Sequence, residues 1–121
     1  LWSFKSMLDN GIHLAFGTDF PVVSYDSRIS LHRAVTRKYP DGQPVNGWNP
    51  EQKLTLWDAL YAYTYGGAYK VGKEDVLGSI ENGKLADIVV WNCNLFDIPA
   101  DDILNSSVSM TICNGRIVYE G

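Results

Sequence analysis

The chain has 121 residues, 45% of them hydrophobic and 20% charged, with a formal net charge of -4 and a sequence pI near 4.9. Such a chain can bury a core and forms one domain or part of one. Lys and Arg cluster on no predicted face, so a phosphate backbone or an anionic membrane surface finds no electrostatic footprint. No apolar run approaches the ~18 to 20 residues that cross a bilayer. Cys93 and Cys113 stand alone without a C-x-x-C pair, which argues against a disulfide framework and against a structural zinc site, and fits a reducing cytoplasm.

In chain order, Leu1, Phe4 and Leu8 keep helical spacing from the first position, as in a helix entered part-way. The spacing predicts a helix over residues 1 to 10, ended by Asn10-Gly11. Gly11-Ile12-His13-Leu14-Ala15-Phe16-Gly17 is a nearly continuous apolar run, predicting a strand buried on both faces of a parallel sheet. Residues 18 to 27 read as a polar and aromatic loop, and Ile29, Leu31, Ala34 and Val35 mark a helix to about Lys38. Pro40, Gly42, Pro44 and Gly47 punctuate the loop that follows.

Asn49-Pro50-Glu51-Gln52 combines an N-cap, a first-turn proline and a glutamine able to reach back to the cap. Thr55 and Asp58 repeat the box. Leu56, Leu60 and Tyr63 with Trp57, Tyr61 and Ala68 then give a broad apolar stripe, predicting a well-buried helix.

Beyond Val76 the period changes to two. Strands are predicted at 87–91 and 107–112, the second alternating so that one face is dry and one wet. Asn114-Gly115 separates it from 116–119, the strongest short-range hairpin signal. The division is therefore α/β for residues 1–72 and antiparallel for 73–121, with the boundary between Gly72 and Gly78. Three strands hold a hydrophobic face only if something covers it.

Three blocks in this order, Gly17-Thr18-Asp19-Phe20-Pro21, Ala34-Val35-Thr36-Arg37 and Gly78-Ser79-Ile80-Glu81-Asn82-Gly83-Lys84-Leu85-Ala86-Asp87-Ile88-Val89-Val90, resemble the C-terminal end of an amidohydrolase superfamily enzyme. The branch they are similar to is amidohydrolase family 3, which includes N-substituted formamide deformylases and D-aminoacylase relatives. The resemblance implies the last strand and helices of a TIM barrel over residues 1–72, and strands of a small composite β-sandwich over 73–121. A full barrel takes ~200 to 250 residues, so this length implies an incomplete one.

The resemblance further implies a parent enzyme that hydrolyses non-peptide C–N bonds, amide or N-acyl, in a small-molecule substrate. A divalent metal, zinc by preference, activates the water. Asp19 would end the eighth barrel strand, bind the metal and accept the proton. The family's other ligands are a His-x-His on the first strand, a Lys or Glu on the fourth and single histidines on the fifth and sixth, and no residue here matches them. No bound metal is therefore expected in this chain by itself, which should be inactive and should self-associate through uncovered edges.

Each candidate also has a structural reading. An Asp two residues before a proline can be a turn former or N-cap. Arg37 could grip a substrate carboxylate or pin the loop after the eighth strand. Phe20, Tyr25 and Trp48 could line a pocket or simply pack. His13 and His32 match no ligand position and read as hydrogen-bonded structural residues, and Lys84 and Asp87 as parts of a turn. The alternative to an enzyme fragment is a free-standing, non-catalytic α+β module for binding or assembly.

Overall fold

The computed structural model describes residues 2–121; Leu1, with which the first predicted helix begins, lies outside the described residues. Helix α1 spans Phe4–Asp9 and ends as the sequence indicates: Gly11 takes a positive φ of 75° and its N–H donates to the Leu8 carbonyl at 2.9 Å.

The predicted strand at 11–17 does not form, because a ladder needs a neighbour and the one sheet among the described residues consists of other segments. The segment lies against helices instead. Phe16 N–H donates to the Ala62 carbonyl at 3.0 Å, and a Cβ placed on Gly66 would stand 2.1 Å from the Leu14 carbonyl oxygen. Glycine at 66 is thus what allows this approach.

Helix α2 spans Ser27–Thr36, and the carboxylate of Asp26 caps it by accepting from the Arg28 N–H at 3.0 Å. The helix stops where Arg37 turns left-handed, φ 61°. The short helix expected after Asn49 is one 3-10 turn, Pro50–Gln52, without the expected cap. Asn49 is itself left-handed, whereas a capping residue needs β-region backbone. Gln52 reaches across to α1, accepting from Ser6 N–H at 3.1 Å and donating to Ser6 Oγ at 2.8 Å.

The Thr55 cap does form, with Oγ1 accepting from Asp58 N–H at 3.1 Å and donating to the Asp58 carboxylate at 2.7 Å. The single predicted helix is two, α3 Leu56–Tyr63 and α4 Tyr65–Lys70, hinged at Thr64. Its apolar stripe is wider than its burial. Ala59 and Ala62 are buried, but Trp57 is 66% exposed and Tyr61 is exposed too.

The tail matches its pattern. Strands β1 Ile88–Trp91, β2 Val108–Cys113 and β3 Arg116–Glu120 form an antiparallel sheet in the order β1-β2-β3. Ile88 faces Ile112, and Cys113 faces Arg116 at the hairpin end. Asn114 and Gly115 both have positive φ, 47° and 75°, as a two-residue type I′ turn requires. The expected dry face is incomplete: no strand residue is fully buried, Trp91 of β1 packs against the core, and Val89, Val90, Ile117 and Val118 are exposed.

The core sits between α2, α3 and the tail. Leu31, Ala34, Leu54 and Ala59 bury against Leu95 and Ile103, the last on a 3-10 helix, Ala100–Asn105. Ile103 is 1% exposed, worth roughly 2 to 3 kcal/mol of hydrophobic transfer.

Candidate functional site

Asp19 lies three residues beyond Phe16 on the loop that leads from α1 to α2. It is exposed and its backbone is left-handed, φ 59°. The local turn is made by the main chain, with Val22 N–H donating to the Asp19 carbonyl at 2.9 Å. The helix cap nearby belongs to Asp26. Among the described residues the Asp19 carboxylate accepts no hydrogen bond and joins no ion pair, so it serves neither as turn former nor as cap.

Asp19 is on the rim of a cavity of about 640 Å³, which Phe16, Arg33, Arg37, Tyr39 and Trp48 also line. Arg37 is fixed there. Its Nε donates to the Trp48 carbonyl at 3.0 Å, its Nη1 donates to the Trp2 carbonyl at 3.0 Å, and its guanidinium lies 5.2 Å from the centre of the Trp48 ring. These bonds pin the segment before Asn49 to the start of the chain, whereas the loop weighed for it from sequence was the one over residues 18–27. Among the described residues, Nη2 is buried without a partner. Burial holds the Arg37 guanidinium below its usual pKa, opposed by the charge of Glu51.

Phe20, 63% exposed, meets Tyr25 edge-on at 5.8 Å and is not among the residues lining that cavity. Trp48 is. The residue that sequence reasoning passed over is Arg33, whose guanidinium lies 5.2 Å from the Tyr39 ring centre. It lies in the last turn of α2, and no local sequence signal marks it, because the Tyr39 ring reaches it only through the fold.

Neither histidine stands with other donor side chains around an open position. His13 lies against the Tyr69 ring at 4.7 Å. His32 is 1% exposed and its Nε2 lies 3.2 Å from Asp101 Oδ1; the other oxygen of Asp101 accepts from Lys38 Nζ at 2.7 Å. Those two bonds, Lys38 first, hold the Asp101 carboxyl below the usual carboxylate range. No group of three or more His, Cys, Asp or Glu among the described residues could hold a metal ion. A catalytic ion needs about three protein ligands, so one carboxylate does not fit one by itself.

Lys84 and Asp87 build turns, as read from sequence. Lys84 Nζ donates to Ser79 Oγ at 2.6 Å, pairs with Glu81 at 2.8 Å and sits 5.5 Å from the Tyr65 ring centre. Asp87 Oδ1 accepts from Asn114 N–H at 2.7 Å, and the Ala86 carbonyl accepts from Gly115 N–H at 3.0 Å. The pair ties the start of β1 to the hairpin turn.

Helices lead into an antiparallel three-stranded sheet, and Asp19 is the one carboxylate among the described residues that line the cavity. The amidohydrolase family model matches residues 2–119, and the chain belongs to that family. It is 34% identical to Protein LONG AFTER FAR-RED 3 of Arabidopsis thaliana, over 96% of this chain and 19% of that protein. It is 30% identical to the N-substituted formamide deformylase of Arthrobacter pascens, over 99% of this chain and 22% of that enzyme. Among solved structures, an amidohydrolase from Thermotoga maritima superposes with a TM-score of 0.73 at 26% identity, covering 98% of this chain and 26% of that one. The chain thus spans about a fifth of the length of these curated relatives. No described helix is long and apolar enough to cross a membrane.

Proposed function

We propose that this chain is the C-terminal portion of a cytoplasmic, metal-dependent amidohydrolase that hydrolyses a non-peptide C–N bond, amide or N-acyl, in a small-molecule substrate. Residues 1–72 close the barrel and 73–121 add the strands of its composite sandwich. The observation that carries this reading is the Asp19 carboxylate: among the described residues it is free of local bonds and lines a cavity, in a chain of which residues 2–119 match the family.

What Asp19 does by itself is proton chemistry. A carboxylate with no resident donor takes the proton of the attacking water and returns it to the leaving nitrogen, a contribution of about a hundredfold or more. In the longer enzyme Asp19 would also be one ligand of a divalent ion, zinc by preference, whose other ligands come from outside these residues. Arg37 and Phe20 are the proposed substrate contacts. The unpartnered Nη2 of Arg37 supports the first, and the exposure of Phe20 beside Asp19 the second. The 121-residue chain alone turns over nothing and self-associates through its open sheet.

The test is turnover of N-acyl and N-formyl compounds by an intact enzyme carrying this segment, beside its Asp19→Asn variant. A loss of about a hundredfold in kcat is expected. Unchanged turnover in that variant removes Asp19 from the mechanism.

A further inference from the structure

Asn-Gly steps are chemically labile because the glycine nitrogen, unhindered by a side chain, can attack the carbonyl carbon of the preceding asparagine side chain. The new N–C bond closes a five-membered imide. The Cγ–Nδ2 bond breaks, and the amide nitrogen leaves as ammonia with the proton given up by the glycine nitrogen. Water then opens the imide to aspartate or isoaspartate. The attack requires a glycine N–H that is free to lose its proton, and a hydrogen bond from that N–H holds it back.

The chain contains four such steps, Asn10-Gly11, Asn46-Gly47, Asn82-Gly83 and Asn114-Gly115, and all four asparagines are exposed. Local sequence and access to water therefore do not rank them, but the backbone does. Gly11 N–H donates to Leu8 at 2.9 Å, Gly47 N–H to Pro44 at 2.7 Å and Gly115 N–H to Ala86 at 3.0 Å. Gly83 N–H donates to no backbone carbonyl among the described residues, and no side chain accepts from it.

We propose that Asn82 is a site of spontaneous deamidation, set apart from the other three Asn-Gly steps by the unengaged N–H of Gly83. The step sits inside the Gly78-to-Asp87 turn, between Glu81 and Lys84. A new carboxylate there competes with Glu81 for the Lys84 ammonium, which now bridges Glu81 and Ser79. An isoaspartate adds one backbone carbon just ahead of β1. The modification would thus act on the turn that delivers the sheet.

The experiment is peptide mapping by mass spectrometry of the unmodified chain aged at mildly alkaline pH, folded and in urea. In the folded chain, conversion at Asn82 should run several-fold ahead of Asn10, Asn46 and Asn114, and in urea the four should converge. Asn82→Gln should remove the dominant product. Equal rates at the four steps in the folded chain, a lead by any of the other three, conversion at none of them, or the same Asn82 lead in urea would each overturn the proposal.

Discussion

Arg28 Nη1 donates to the carbonyl of Ser106 at 2.6 Å, across 78 residues of chain. The same guanidinium holds Asp26 with Nε to Oδ1 at 2.9 Å and Nη2 to Oδ2 at 2.7 Å. One side chain therefore fixes both the start of α2 and the end of the 3-10 helix on which Ile103 docks. Replacing it with methionine keeps the apolar stem and removes the donors. Urea unfolding of Arg28→Met should show a loss of about 1 to 2 kcal/mol, the scale for a charge-assisted, partly exposed hydrogen bond.

The Asp26 carboxyl lies below its ordinary value of 3.8 chiefly because Arg28 hydrogen-bonds it, against an opposing desolvation. A depressed folded pKa gives stability that is complete above the unfolded value and is lost as pH falls through the folded one. Stability should therefore decline as pH falls through and below the ordinary carboxylate range, about pH 4. Asp26→Asn should flatten that decline in urea midpoints taken across the range. Asp101, also depressed but with its side chain 57% exposed, adds less.

Gly66 and Gly67 are adjacent in α4 and should respond oppositely to alanine. A Cβ at 66 would meet the Leu14 carbonyl oxygen at 2.1 Å, while nothing lies within 4 Å of one at 67. Gly67→Ala should raise stability by about 0.5 to 1 kcal/mol from helix propensity alone. Gly66→Ala should lower it and free the 12–16 segment, read as faster amide exchange at Phe16.

Ile103 is the largest apolar side chain that the tail buries completely. Ile103→Ala should cost about 2 to 5 kcal/mol in urea unfolding. A cost under about 1 kcal/mol would mean that the tail does not share a core with α2.

The elements that could be read from sequence were those whose bonds are local. Asn114-Gly115 announced its hairpin because both left-handed positions lie inside the dipeptide, and Thr55 its cap because the acceptor and the Asp58 amide are three residues apart. The segment around Leu14 did not become a strand, since a ladder depends on a neighbour that the sequence pattern of the segment cannot supply. Gln52 was read as a cap partner but bonds Ser6, 46 residues away. For the site, Asp19 stood out through its block, whereas Arg33 acquires interest only from a ring that folding brings near it. Trp57 and Tyr61 show the same limit from the other side: hydrophobicity fixed the stripe, not what would cover it.

Asp19 holds a left-handed backbone, φ 59°, a conformation that costs an ordinary residue about 1 to 2 kcal/mol and glycine almost nothing. Its carboxylate gives back no local bond to offset that cost. A chain shaped by stability alone would do better with glycine at this point, so Asp19→Gly should melt higher than the parent sequence. Under the role proposed for Asp19, the carboxylate trades robustness for chemistry.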